Sequence, residues 1–173
     1  MKTGFSQRGI GLIEVLVALL VLAIGILGFV ALQYRAVEAT SEANYRIQAI
    51  NIARDLAERM RVNRSALSTY KSETSNATTQ KQAGKSCLIN TCTTTELADF
   101  DVAEVANRAD SLGMTVNMLN CPGNSDGRNC IYVAWGDTSA TNDAASEPPV
   151  SSGDCTRGTS YVNGSTCVIM ETY

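Results

Sequence analysis

The sequence predicts an α+β fold. One long N-terminal helix, apolar over its first half and amphipathic over its second, packs on a small antiparallel β-sheet with disulfide-closed loops. Three observations predict this. Residues 10–32 are apolar apart from Glu14. Tyr34 to Asn63 lacks Gly and Pro and carries apolar residues at three- and four-residue steps. Six cysteines, Cys87, Cys92, Cys121, Cys130, Cys155 and Cys167, all follow the apolar segment and lie among short strand-like runs.

The apolar segment is long enough to span a bilayer as a helix. A lone acid inside such a segment costs roughly 2.5–3.5 kcal/mol on insertion scales, so Glu14 requires a reason. A secretory signal peptide has a shorter apolar region followed by small residues at a cleavage site, a pattern this stretch does not follow. A plain membrane anchor accounts for the length, and for Lys2 and Arg8 holding the N-terminus in the cytoplasm. It does not account for Glu14, or for Gly9 directly after a basic residue and five residues before that acid.

At Arg8-Gly9-Ile10 and Leu12-Ile13-Glu14-Val15-Leu16-Val17-Ala18-Leu19 the chain resembles the type IV pilin family, and more narrowly the PilV-like minor pilins. The family pattern is a short basic leader ending in Gly, a hydrophobic residue, Glu four residues further on, and an unbroken apolar helix. Several expectations follow from the resemblance. Met1 to Gly9 is a leader, cut by a prepilin peptidase between Gly9 and Ile10, and Ile10 is then N-methylated. Residues 10–32 hold the subunit in the inner membrane lipid as a single span, with the later part of the chain periplasmic. The segment then enters a fibre built from major and minor pilins on an inner-membrane assembly platform. Glu14 pairs with the N-terminal amine of a neighbouring subunit, since a buried charge is tolerated when another compensates it. Ile10 replaces the commoner Phe or Met, and Gly11 stands where Thr or Ser is usual. Many major pilins carry Pro in this helix; here Gly25 and Gly28 are the candidate soft spots, since Gly weakens a helix by about 1 kcal/mol relative to Ala.

The helix is expected to run on through an extension at residues 33–64. Its apolar stripe is Ala39, Ala43, Ile47, Ile50, Ala53, Leu56 or Ala57, and Met60, with charged residues largely elsewhere. The run Arg59-Met60-Arg61-Val62-Asn63 again resembles the PilV-like proteins. Arg59, Arg61 and Arg64 suit the negative end of a helix; a subunit contact is the rival reading.

Residues 65–173 form the expected globular domain, exposed to the periplasm and then to the cell exterior. Ser65 to Ser86 reads as a long polar loop. Thr93 and Glu96 have capping-box spacing, and Leu97, Val105 and Ala109 continue a helix that Gly113 stops. Asp99, Asp101 and Glu104 read as its solvated face. Strands are expected at 115–120, 131–135 and 166–172. In the second, Ile131, Val133 and Trp135 share one face, and Tyr132 and Ala134 the other. Thr138 to Gly153 reads as a loop, with Pro148-Pro149 barring regular structure. Asn163-Gly164 suggests a tight hairpin.

An even number of cysteines confined to the exported part points to disulfides in an oxidising compartment. Spacing alone leaves every connectivity open. Sequential pairing, Cys87–Cys92, Cys121–Cys130 and Cys155–Cys167, closes three short polar loops and is the pairing expected. A structural metal site is disfavoured without His or a Cys-x2-Cys pair.

The chain of 173 residues has a formal charge of −3. Loss of Lys2 and Arg8 with the leader leaves 12 Lys and Arg against 17 Asp and Glu, or −5. A mildly acidic surface disfavours broad nucleic-acid binding. The absence of His rules out Ser-His-Asp and Cys-His catalysis, and no phosphate-cradling or dinucleotide motif occurs. No enzyme activity and no cofactor are expected. The expected role is that of a minor pilin at or near the tip of a type IV pilus, helping assembly to start. The alternatives are a minor pseudopilin of a type II secretion system and a signal-anchored periplasmic binding or adhesion domain that never polymerises.

Overall fold

The computed structural model describes residues 11–143 and 153–172. The chain divides into two compact units, Met1–Ala43 and Asn44–Tyr173. Helix α1 runs over Leu12–Val62. In the first unit every described residue from Gly11 to Ala43 is exposed. The helix passes through Gly25 and Gly28 without a break, and a Cβ at either position would meet nothing within 4 Å. Neither Gly is therefore demanded by packing within the chain.

The second unit begins with the last turns of α1. A 3-10 turn over Arg64–Ala66 and helix α2, Leu67–Ser75, follow directly. Helix α3 spans Thr94–Ser111. Strands β1 (Met114–Asn120), β2 (Asn129–Trp135) and β6 (Cys167–Thr172) form an antiparallel sheet in the order β1-β2-β6. Met114 faces Trp135 across the first pair and Ile131 faces Met170 across the second. A smaller sheet has the order β3-β4-β5, from Ser139–Asn142, Asp154–Arg157 and Ser160–Tyr161.

One face of the larger sheet meets the three helices. Ala49, Ile52, Ala53, Leu56 and Met60 of α1 bury against Tyr70 of α2, Val102 and Val105 of α3, and Met114, Val116, Met118, Ile131, Val133 and Trp135 of the sheet. Fully burying an aliphatic or aromatic side chain of this size contributes about 1.5–3 kcal/mol. The opposite face packs Tyr132 and Ala134 against Ala140 and the Cys121, Cys130, Cys155 and Cys167 sulfurs. Strand β2 is buried along its whole length, as expected of a central strand covered on both faces.

The α+β architecture and the three strands of the larger sheet agree with the sequence reading; four details differ. The α1 stripe is Ala49, Ile52, Ala53, Leu56 and Met60, whereas Ile47 is 57% exposed. The expected stripe was anchored on alanines, whose small side chains define a face weakly. Residues 65–86 are not one long loop, because Ala66, Tyr70 and Thr74 are buried and fold α2 onto the core. Residues 139–142 form a strand paired in parallel with β4; Pro148-Pro149 lies outside the described residues. Asn163-Gly164 does make a tight turn, with the Ser165 amide donating to Val162 O at 3.0 Å and Gly164 at φ +80°. The hairpin, however, is one turn earlier, between β4 and β5, where Arg157 faces Ser160.

Candidate assembly segment and its supporting head

Glu14 occupies the first turn of α1. Its amide donates to Gly11 O at 2.9 Å, and the Val15 amide donates to the same oxygen at 3.4 Å. A carboxylate there interacts favourably with the positive end of the helix dipole. Beyond it the side chains are apolar on all sides. Leu12, Ile13, Val15, Leu16, Val17, Leu19, Leu20 and the large apolar residues that follow to Leu32 are all exposed. This part of α1 reaches a mean hydropathy of 3.1 over an 18-residue window, long and apolar enough to cross a membrane. A helix apolar on every side requires a non-aqueous surrounding, either lipid or other helices. Gly9 and Ile10 lie outside the described residues.

In the head, α1 is joined to α2 and α3 by a half-buried polar network. Arg59 donates to Asp55 Oδ1 through Nε at 2.9 Å, and through Nη1 to Asp101 Oδ1 at 2.7 Å and Glu104 Oε2 at 3.1 Å. The Tyr70 hydroxyl donates to Asp101 Oδ2. Arg108 reaches back to Asp55 Oδ2 at 2.7 Å. Burial works against the charge of Arg59, but its hydrogen bonds to Asp55 and Asp101 and their negative charges prevail, so its pKa is raised. The Tyr70 phenol is also raised, first by burial and then by its bond to the Asp101 carboxylate. Asn63, itself buried, donates through Nδ2 to Thr94 O at 2.7 Å and ties the end of α1 to the start of α3.

These contacts revise the reading of two charged groups. Asp99, Asp101 and Glu104 are not one solvated face: Asp101 is 7% exposed, Glu104 holds Arg59, and Asp99 accepts the Gly84 amide at 2.7 Å. Of the three arginines, Arg59 belongs to the network, whereas Arg61 and Arg64 are exposed. Tyr70 escaped the sequence reading because its segment looks polar. Ala66, Tyr70 and Thr74 at four-residue steps are the signal that could have found it.

The cysteines pair as Cys87–Cys92, Cys121–Cys130 and Cys155–Cys167. The second closes the Pro122-to-Asn129 loop, in which the Asn124 side chain accepts the Asp126 amide at 2.9 Å. That is turn geometry, and no cluster of three or more His, Cys, Asp or Glu suited to a metal ion occurs among the described residues.

Two family models match the chain. The prokaryotic N-terminal methylation motif covers residues 4–30, which include Gly9, Ile10 and Glu14. The family described as type IV pilin Tt1218 covers residues 31–103. The chain belongs to the type IV pilins. The pilin match takes in the rest of α1, all of α2 and the first half of α3, and so includes Arg59, Tyr70 and Asp101. The sheets of this pilin lie beyond it. No curated protein and no solved structure matches the chain.

Proposed function

We propose that this pilin is a minor subunit of a type IV pilus, placed at or near the fibre tip and helping assembly to start. In this reading a prepilin peptidase removes Met1 to Gly9 and methylates the new amine of Ile10. Residues 10–32 anchor the subunit in the inner membrane as a single span, with the N-terminus cytoplasmic and residues 65–173 periplasmic. The assembly platform then transfers that span into the fibre, where other pilins surround it. Residues 33–64 extend the helix into the head.

One observation carries the reading: a single carboxylate, Glu14, in the first turn of an otherwise apolar, fully exposed helix. The helix gains a lipid-like environment in either compartment. Only in a bundle of like helices does the carboxylate also gain the cationic amine of a neighbour, and the charge then no longer stands alone. The minor-subunit assignment is supported by the run Arg59-Met60-Arg61-Val62-Asn63, which resembles PilV-like proteins.

Mass spectrometry of sheared, digested fibres from the native cell tests this. The expected result is a peptide beginning at methylated Ile10, at low abundance relative to a major pilin. Recovery solely from membranes with residues 1–9 attached would remove the pilus reading. A processed chain absent from fibres would favour a secretion pseudopilin instead.

A further inference from the structure

The Cys87–Cys92 bridge closes a loop that displays Leu88 and Ile89, which are 77% and 86% exposed. They are the large apolar side chains of an otherwise polar stretch. The loop is held in place from behind. Lys85 donates to Thr91 O at 2.8 Å and to both Glu96 oxygens at 3.2 Å. Thr93, next to Cys92, caps α3. The bond from Asn63 to Thr94 brings this corner to the end of α1. There Val62 is 86% exposed, between Arg61 and Arg64. Neither arginine makes an ion pair among the described residues. One corner of the head thus carries three exposed apolar side chains beside two uncommitted cations.

We infer that this corner, Leu88 and Ile89 on the disulfide loop with Arg61, Val62 and Arg64 at the end of α1, docks on an acidic, partly apolar surface of a neighbouring pilin in the same fibre. The inference rests on the reading of the chain as a fibre subunit. Three arguments commit it to that occupant. Three side chains fall far short of the roughly 800 Å² per partner that a free-standing stable interface buries. The patch therefore contributes only to a partner already held close by other contacts, as a fibre neighbour is, at high effective concentration. The balance of 12 basic to 17 acidic residues in the chain without its leader makes a subunit surface of this kind predominantly acidic, the complement of Arg61 and Arg64. Two copies of the patch cannot face each other, because like charges would meet. The contact is thus heterologous, a geometry that propagates an open array instead of closing a dimer.

Ile89→Asp and Leu88→Asp test it in the full chain in its native cell, with Tyr161→Asp as the control because Tyr161 is exposed on β5. These positions are solvent-facing, so the variants are expected to reach the membrane pool at the wild-type level. Recovery of the Ile89 and Leu88 variants in sheared fibres should fall roughly tenfold, while the methylated Ile10 peptide persists in membranes and the control is unchanged. A benzophenone amino acid in place of Ile89 should cross-link to another pilin chain in intact fibres. Wild-type fibre incorporation with unchanged recovery of both variants, or cross-links to a non-pilin ligand alone, would overturn the docking inference and leave the fibre-subunit reading standing. Absence of the wild-type chain from fibres would overturn both.

Discussion

At the scale of single residues, Asp101 is the most consequential side chain of the head. It is nearly inaccessible, and its charge is tolerated because Arg59 and Tyr70 both donate to it. Removing either donor leaves a buried acceptor short of partners, which costs about 1–3 kcal/mol. Tyr70→Phe is expected to fall in that range, as measured by denaturant unfolding of the full chain in detergent. Arg59→Met is expected to cost more, about 3 kcal/mol, because it leaves an uncompensated carboxylate. The network also sets the alkaline limit. The Tyr70 phenol holds its proton more tightly in the folded chain than in the unfolded one. The unfolded chain therefore loses this proton first as pH rises. The contribution is complete below the ordinary tyrosine value of about 10 and is lost as pH climbs from there through the folded value. Tyr70→Phe should flatten the decline in unfolding midpoint between neutral and strongly alkaline buffer. An equal decline in both proteins would assign the alkaline sensitivity elsewhere.

At the scale of elements, α3 has its start written locally. Thr93 Oγ1 accepts the Glu96 amide at 3.3 Å, and Glu96 Oε2 accepts the Thr93 amide at 2.8 Å. Thr93→Ala should cost about 1 kcal/mol of stability. The backbone bond from Thr93, followed by Lys85 and the Thr93 hydroxyl, lowers the pKa of Glu96. Its contribution is present above the ordinary glutamate value of about 4.3 and is lost as pH falls through the lower folded value. Thr93→Ala should therefore also weaken the acid dependence of the unfolding midpoint. The three disulfides differ in what they join. Cys155–Cys167 connects the smaller sheet to the larger, is the most buried at Cys155, and closes the longest loop. Cys87–Cys92 closes a short surface loop. Replacing both cysteines of the first pair by Ser should cost about 2–5 kcal/mol, and clearly more than the same change at Cys87 and Cys92.

At the scale of the whole molecule, the apolar part of α1 and the head obey different solvents. The head satisfies itself: its core is filled from three helices and a sheet. The exposed residues from Leu12 to Leu32 satisfy nothing within the chain, and their partner must come from lipid or other subunits. Glu14→Ala separates the two environments. It removes a charge that is costly in lipid, so membrane insertion should be intact. It also removes the partner of a neighbour's amine, so recovery in sheared fibres should fall. Equal recovery of mutant and wild type would contradict the proposed charge pair.

Features written in short stretches of chain were legible without the fold. The apolar span with its single acid, the Thr93–Glu96 cap, the Gly113 stop and the alternation of Ile131, Tyr132 and Val133 each depend on neighbours within about one helical turn or one strand. Tertiary structure decided the rest, because those features depend on what approaches from far along the chain. Asp101 looks solvated by sequence and is buried because Arg59, more than forty positions away, arrives from α1. Residues 67–75 look like loop and become α2 because Tyr70 reaches that same carboxylate. The inward face of α1 is set by where β1 and β2 lie, not by the periodicity of its small alanines. Strand β3 exists because β4, brought back by the chain, offers it a parallel edge. Local chemistry determined which segments are helix, strand and span; long-range burial decided which polar groups had to be shared.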